Sequence, residues 1–357
     1  MKRIALLMAL CLLFALTAAC ATSETPSPAP ADPAAPEEPA APEPAAPAEG
    51  KGVIGVAMPT LDIFFFNYEK DVAVRIAEEN GFETKVVVAE NDLNRQLSQI
   101  EDLINSEVVG IICVPVDTTA IESAIQKSYE AGIPFVTIGR NPSDTTYLTL
   151  GVLCDNLTSA AQCAQRIDEV AKEYDMGPVK VIEMIGDLRD QNAVERTEGF
   201  KAEAAKLGLE IVAEAPMEWN SELTYSRLND AIQAVGGDFN AVYIPADPFV
   251  PAGLSALEHN GMLHPMGHPE HRIVVGIDGD PNMFRLMREG HVAGTSNTDA
   301  RLFASVGMEG LLAAIAGNPP AEKLQYAPSI FLTLEVLETP EAQEFWGVVG
   351  EKEGHVD

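Results

Sequence analysis

The sequence predicts an α/β fold of two lobes, each a parallel sheet with helices on both faces. Three observations carry that reading. From Val53 onward, short β-branched runs alternate with stretches of helical apolar spacing. The runs are almost continuously apolar, as strands buried on both faces are. The series stops near residue 153 and restarts at Val179, so there are two such units.

In the first series, strands are expected at Val53–Met58, Lys85–Ala89, Val109–Val114, Pro134–Ile138 and Tyr147–Leu153. Helices are expected at Phe66–Asn80, Leu93–Asn105 and Thr118–Ala131. Asn91-Asp92 and Asp117-Thr118 supply N-cap chemistry for the last two. In the second series, strands fall at Val179–Ile185, Glu210–Ala215, Ala241–Ile244, Ile273–Ile277 and Val292–Ser296. Helices fall at Asn192–Leu207, Ser221–Val235, Pro251–Asn260, Pro281–Glu289 and Arg301–Ala316. Open sheets of this kind bind ligands outside the carboxyl ends of their strands. Two lobes facing each other there enclose a cleft.

The chain has 357 residues and a formal net charge of −31, a surface that repels polyphosphate and argues against nucleic-acid partners. Met1-Lys2-Arg3, the apolar run Ile4–Ala19 and the small residues before Cys20 have the three parts of an export signal. The apolar core is short for a bilayer span, which needs about 20 residues. Thr17-Ala18-Ala19-Cys20 resembles a bacterial lipoprotein box, with Thr17 at the usual leucine position. That resemblance implies cleavage before a lipidated Cys20 and attachment to the extracytoplasmic face of the membrane. Ordinary cleavage after Ala21 is the alternative. Thr22–Gly50 is rich in Pro, Ala and Glu and holds no Lys or Arg. It is expected to be an extended spacer of about 90 Å at most. Cys113, Cys154 and Cys163 have no disulfide or zinc spacing and read as small buried hydrophobes, the last two flanking a helix start.

The candidate site residues follow the strand ends. Asp62, Phe65 and Phe66 come after the first strand. Three phenylalanines in a row at a helix start cannot all face the core, and a ring can stack on the C–H face of a sugar. Arg140 follows the fourth strand and offers a planar fork of donors to hydroxyls or a carboxylate. Asn192 either bonds a hydroxyl or caps a helix, and Arg196 is read as a structural ion-pair partner. Trp219 suits a second stacking wall. Asp247 and Asp278 follow strands of the second lobe, and a carboxylate there can accept from two neighbouring hydroxyls; capping the next helix is the alternative for both. Asn297, beside Thr298, ends the last strand as a hinge or ligand residue.

With these pieces in order, the sequence resembles periplasmic sugar-binding proteins of the ribose- and galactose-binding type. The likeness runs from about Val53 to Glu338. It rests on Ile54–Phe66, Gly132–Arg140, Cys154-Asp155-Asn156, Glu195–Phe200 and Gly276-Ile277-Asp278-Gly279. The resemblance implies two Rossmann-like lobes joined by a three-strand hinge, the type I periplasmic binding protein fold. It also implies capture of a small sugar or polyol for an ABC permease, by a monomer without cofactor, metal or catalysis. The expected organisation is a signal peptide at 1–20, a linker at 21–50, an N-terminal lobe from 51–154 and 299–329, a C-terminal lobe from 155–298 and 330–338, and a C-terminal tail at 339–357. The family's aromatic contacts match Phe65, Phe66 and Trp219, and Arg140 and Asp278 match too. Polar contacts of the family fall instead at Pro59, Ile63, Gly139, Val194 and Ala246. Simple ribose is therefore a poor expectation, and a ligand with fewer or differently placed hydroxyls a better one.

Rival readings are weaker. No nucleophile elbow, HExxH, P-loop or dinucleotide glycine string supports an exported enzyme. His259, His264, His268 and His271 cluster without helical spacing and read as a solvated loop rather than a metal site. A repressor of the same shape would need a DNA-binding headpiece. Sensing through a membrane receptor is the alternative output that sequence does not separate from transport.

Overall fold

The structure, a computed structural model, describes residues 50–354. The signal segment, Cys20 and the linker up to residue 49 lie outside the described residues, as do residues 355–357. Two six-stranded sheets form the frame. The first holds β1 (Val53–Met58), β2 (Glu83–Val88), β3 (Gly110–Cys113), β4 (Phe135–Ile138), β5 (Leu150–Cys154) and β11 (Leu324–Ala327), ordered β11-β5-β4-β3-β1-β2. The second holds β6 (Lys180–Ile185), β7 (Glu210–Pro216), β8 (Ala241–Tyr243), β9 (Ile273–Asp278), β10 (Gly294–Asn297) and β12 (Ile330–Leu332), ordered β12-β10-β9-β8-β6-β7. All pairings are parallel except β10–β12. β12 comes straight from β11 of the other sheet with no helix to reverse the chain, so it joins the edge antiparallel.

Each sheet is covered on both faces, as its apolar strands require. On the first, α1 (Phe64–Glu79) and α9 (Ala300–Ile315) pack one face through Val72, Ala73, Phe303 and Met308. α2 (Leu93–Asn105) and α3 (Glu122–Glu130) pack the other through Ile100, Leu103 and Ile125. On the second, α4 (Asn156–Glu173) and α5 (Gln191–Leu207) face α6 (Ser221–Ala234), α7 (Val250–His259) and α8 (Pro281–Arg288) across the sheet. Asp92 caps α2 by accepting from the Arg95 amide at 2.9 Å. Asp117 accepts from the Thr119 and Ala120 amides, but a turn intervenes and α3 starts only at Glu122. Cys113, Cys154 and Cys163 are buried and free, with Cys163 in the middle of α4 rather than at its start. Burial pushes the Cys154 thiol up to about 11, which leaves it protonated and inert at neutral pH.

The chain crosses between the sheets three times: at Asp155 from β5 to α4, at Thr298-Asp299 from β10 to α9, and at Pro328-Ser329 from β11 to β12. Asp155 and Asp299 cap the helices they enter, accepting from the Thr158 amide at 3.0 Å and the Leu302 amide at 3.1 Å. Ser329 Oγ lies 2.7 Å from Ser159 Oγ and donates to the Asp155 carbonyl at 3.3 Å, which ties the first and third crossings together. This is the two-lobe, three-strand-hinge fold expected from the sequence.

Within the segment expected to be a C-terminal tail, the described residues up to 354 include a packed helix. After α10 (Leu334–Leu337) the chain passes through a 3-10 turn at Glu341–Glu344 into α11 (Trp346–Lys352). Trp346 is fully buried, donates Nε1 to the Asp278 carbonyl at 3.1 Å, and meets the rings of Phe64 and Phe65 at 5.8 and 5.2 Å. A Cβ on Gly347 would fall 1.8 Å from the Gly279 carbonyl oxygen, so only glycine allows that approach. Arg288 Nη2 donates to Glu351 Oε2 at 2.7 Å. α11 thus touches α1 of one lobe and β9 and α8 of the other.

Candidate ligand cleft

The strand ends of the two sheets face a common cavity. Its volume, mouth included, is about 590 Å³. Its walls come from strand ends of both sheets, including Phe65, Phe66, Gly139 and Arg140 on one side and Asp190, Arg196, Trp219 and Asp278 on the other.

The N-terminal wall is aromatic. Phe65 and Phe66 start α1 without a side-chain cap, and their rings meet edge-on at 5.7 Å. Phe64 turns away from them to stack on Trp346, which resolves how three successive rings are accommodated. Arg140 lies with its guanidinium carbon 5.5 Å from the Phe66 ring centre. Its Nη1 donates to the Pro115 carbonyl at 2.9 Å and its Nε sits 2.9 Å from Asp190 Oδ2 of the other lobe.

The C-terminal wall is an ionic lattice. Arg196 donates to Asn156 Oδ1 at 2.9 Å, to the Pro245 carbonyl at 2.6 Å and to Asp278 Oδ1 at 3.1 Å. Burial raises the Asp278 carboxyl, and the Arg196 charge and hydrogen bond pull it back toward the ionised form. Asp278, which lines the cavity, has φ 129°, a strained backbone for a residue other than glycine. Trp219 lies near-parallel to Phe249 at 6.0 Å, and its Nε1 donates to Asp190 Oδ2 at 3.2 Å. A Cβ on Gly186 would sit 2.3 Å from the indole, so that glycine is what lets the ring lie on the backbone.

Three bonds close the lobes on each other directly: Arg140 to Asp190, the Asn192 amide to the Gly139 carbonyl at 2.8 Å, and Thr118 Oγ1 to the Arg189 carbonyl at 3.3 Å.

Of the residues picked from sequence, Phe65, Phe66, Arg140, Asn192, Trp219 and Asp278 line the cavity. Asn192 is already engaged at both ends, since its Oδ1 accepts from Asn156 at 2.9 Å. Asp62, Asp247 and Asn297 do not line it. Asp62 is exposed in the turn after β1. Asp247 is buried, and its Oδ2 accepts from the Gly279 and Asp280 amides and from Thr295 Oγ1, which fastens the end of β8 to the loop after β9. Asn297 is buried against Gly279, while its neighbour Thr298 reaches the cavity. Arg196 proves to be both the ion-pair partner expected and part of the cavity wall. Sequence reading missed Asp190, Phe249 and Phe303. Asp190 sat in view within the polar run after β6, whereas Phe303 reaches the site only because α9 packs against α1. Ile63, Gly139 and Ala246, three of the positions where the resemblance implied polar contacts, line the cavity and leave it short of hydroxyl-bonding groups.

Away from the cleft, His264, His268 and Glu270 bring one donor atom each within 4.8 Å of one another. The two rings stack at 4.2 Å and 16°, so an ion in the plane of one lies out of the plane of the other unless the rings splay. His271 is turned inward, its Nδ1 2.7 Å from the His264 carbonyl oxygen.

The sequence profile of the periplasmic binding protein domain matches residues 54–319. The chain belongs to that family. It is 27% identical to the ribose import binding protein of Salmonella typhimurium over 269 residues, 75% of this chain and 85% of that one. It superposes with TM-score 0.73 on an ABC transporter solute-binding protein from Bacillus halodurans C-125 solved with bound myo-inositol, at 27% identity, covering 84% of this chain and 100% of that one. A carbohydrate transporter solute-binding protein from Agrobacterium radiobacter, solved with D-arabinose, shares the fold at TM-score 0.76 and 16% identity over 84% of this chain and 99% of that one. Among the described residues, no helix is long and apolar enough to cross a membrane.

Proposed function

We propose that this family member captures one small sugar or polyol in the interlobe cleft, without chemistry, and delivers it to an ABC permease. The observation that carries the reading is the pairing of walls: stacking rings at Phe65, Phe66 and Trp219 with charged groups at Arg140 and Asp278 between them. Rings take the C–H faces of a sugar, and charge-assisted bonds hold its hydroxyls at about 1.5–3 kcal/mol each. The relatives named for ribose import and solved with myo-inositol support a cyclic, hydroxyl-rich solute. The apolar substitutions at Ile63, Gly139 and Ala246 favour a solute with fewer hydroxyls than ribose presents to its site, or differently placed ones. Closure is a hinge motion at the three crossings, stabilised by contacts that exist only when the lobes meet.

The domain works outside the cytoplasm, tethered as a monomer by a lipid on Cys20 and the Pro-rich spacer. The Thr17–Cys20 pattern and the spacer composition support this. Cys20→Ala is expected to release the protein from the membrane fraction, and retention there would refute the anchor. The binding reading is tested by a thermal-shift screen of the purified chain over pentoses, hexoses, inositols, linear polyols and nucleosides. A rise in melting temperature with one sugar or polyol class supports it. Stabilisation by nucleosides alone, or by nothing in the panel, refutes it.

A further inference from the structure

Glu69 is the odd residue behind the N-terminal wall: it does not itself line the cavity. It stands on the inward stripe of α1 with Phe65, Phe66, Val72 and Ala73, positions otherwise apolar. It is fully buried, and neither carboxyl oxygen has a hydrogen-bond partner. A buried polar group left unpaired costs about 1–3 kcal/mol, and packing alone would favour leucine there. Its surroundings point to the cleft. A Cβ on Gly139 would lie 3.4 Å from Glu69 Oε1 and 3.8 Å from the Phe303 ring. Gly139 and Phe303 both line the cavity, as does Phe66 one turn back on α1. The carboxyl is closed off from the cavity, and Gly139, which carries no side chain, stands between the two. Burial pushes it well above the usual carboxylate range, opposed by Arg140 and reinforced by Asp278 across the cleft. In its neutral form a carboxyl can donate one hydrogen bond and accept another.

We propose that Glu69 is a ligand-contacting carboxyl, reached past Gly139, that holds one hydroxyl of the bound solute and so sets which hydroxyl pattern the cleft accepts. The inference rests on the cleft reading above and deepens it. Glu69 supplies from a helix the polar contact that the strand end at Gly139 lacks. Its missing partners in the closed protein make it a group held ready at the expense of stability, as binding residues often are.

Two measurements on the full chain test this, using Glu69→Leu, which keeps apolar bulk, and Glu69→Gln, which keeps hydrogen-bonding capacity. Without solute, Glu69→Leu is expected to melt above the wild type. A lower melting temperature would mean the carboxyl serves the fold, and would overturn the proposal. With the panel sugar or polyol that stabilises the wild type most, Glu69→Leu is expected to weaken binding at least tenfold and Glu69→Gln less than threefold. Unchanged affinity in Glu69→Leu overturns the proposal and leaves the cleft reading standing. If no panel member binds the wild type, the cleft reading fails, and the melting comparison still decides whether Glu69 belongs to the fold.

Discussion

The two walls of the cleft are built on opposite principles. The C-terminal wall is already bonded: Arg196 reaches Asn156, Pro245 and Asp278, and Asp190 accepts from Trp219 Nε1. The N-terminal wall is mainly rings, Phe65 and Phe66 meeting edge-on with Trp346 against Phe65 from the rear, and an acid without partners, Glu69, stands behind it. A lattice whose bonds are satisfied is rigid and fixes where hydroxyls are read. A wall of rings reads flat apolar surface and tolerates changes in the solute. The pair therefore divides labour between position and shape.

Breaking the rear of the aromatic wall should cost most. Trp346→Ala removes a buried indole shared by both lobes and is expected to lower unfolding free energy by about 4 kcal/mol in urea titration. A loss below about 1 kcal/mol would show that α11 is peripheral to the fold. Next is the lattice. Asp278→Asn leaves the Arg196 guanidinium without its anion and is expected to cost about 3 kcal/mol, read in the same assay.

A pH comparison probes the sheet behind the C-terminal wall. In β6, burial pushes Glu183 up to about 7, and Lys201 Nζ at 3.8 Å offsets it only partly. The folded protein then holds a proton that the unfolded chain has lost above its ordinary carboxylate value. Stability should fall as pH rises from about 4.5 to about 7, by about 3 kcal/mol from this group alone, and level off above. Glu183→Gln is expected to flatten that slope, and an unchanged slope would locate it elsewhere. The smallest effect is at the one stacking ring of the bonded wall. Trp219→Ala should weaken solute binding about tenfold, equivalent to about 1.4 kcal/mol, read by calorimetric titration.

The alternation of apolar runs and helices made the sheets legible, since parallel strands buried on both faces must be continuously apolar. What that pattern could not show was direction where helices are absent, hence the antiparallel β12. Nor could it show the role of a short C-terminal stretch whose one tryptophan acts through tertiary contact. At the site, aromatic and charged residues just after strands were visible because position along the strand predicts exposure to the cleft. Asp247 misled for the same reason: a carboxylate at a strand end also satisfies neighbouring amides, and sequence does not say which it does. Glu69 did leave a signal, an acid on an apolar helical stripe, but only the lack of partners gives it meaning.

The proposed solute lies between a bonded wall and an aromatic one. Calorimetric titration of the panel sugar or polyol into wild type, Trp219→Ala and Asp278→Ala decides whether it does. One site per chain is expected, with dissociation near micromolar, about −8 kcal/mol, and each substitution weakens binding at least tenfold. Equal affinity in all three proteins would remove the solute from this cleft.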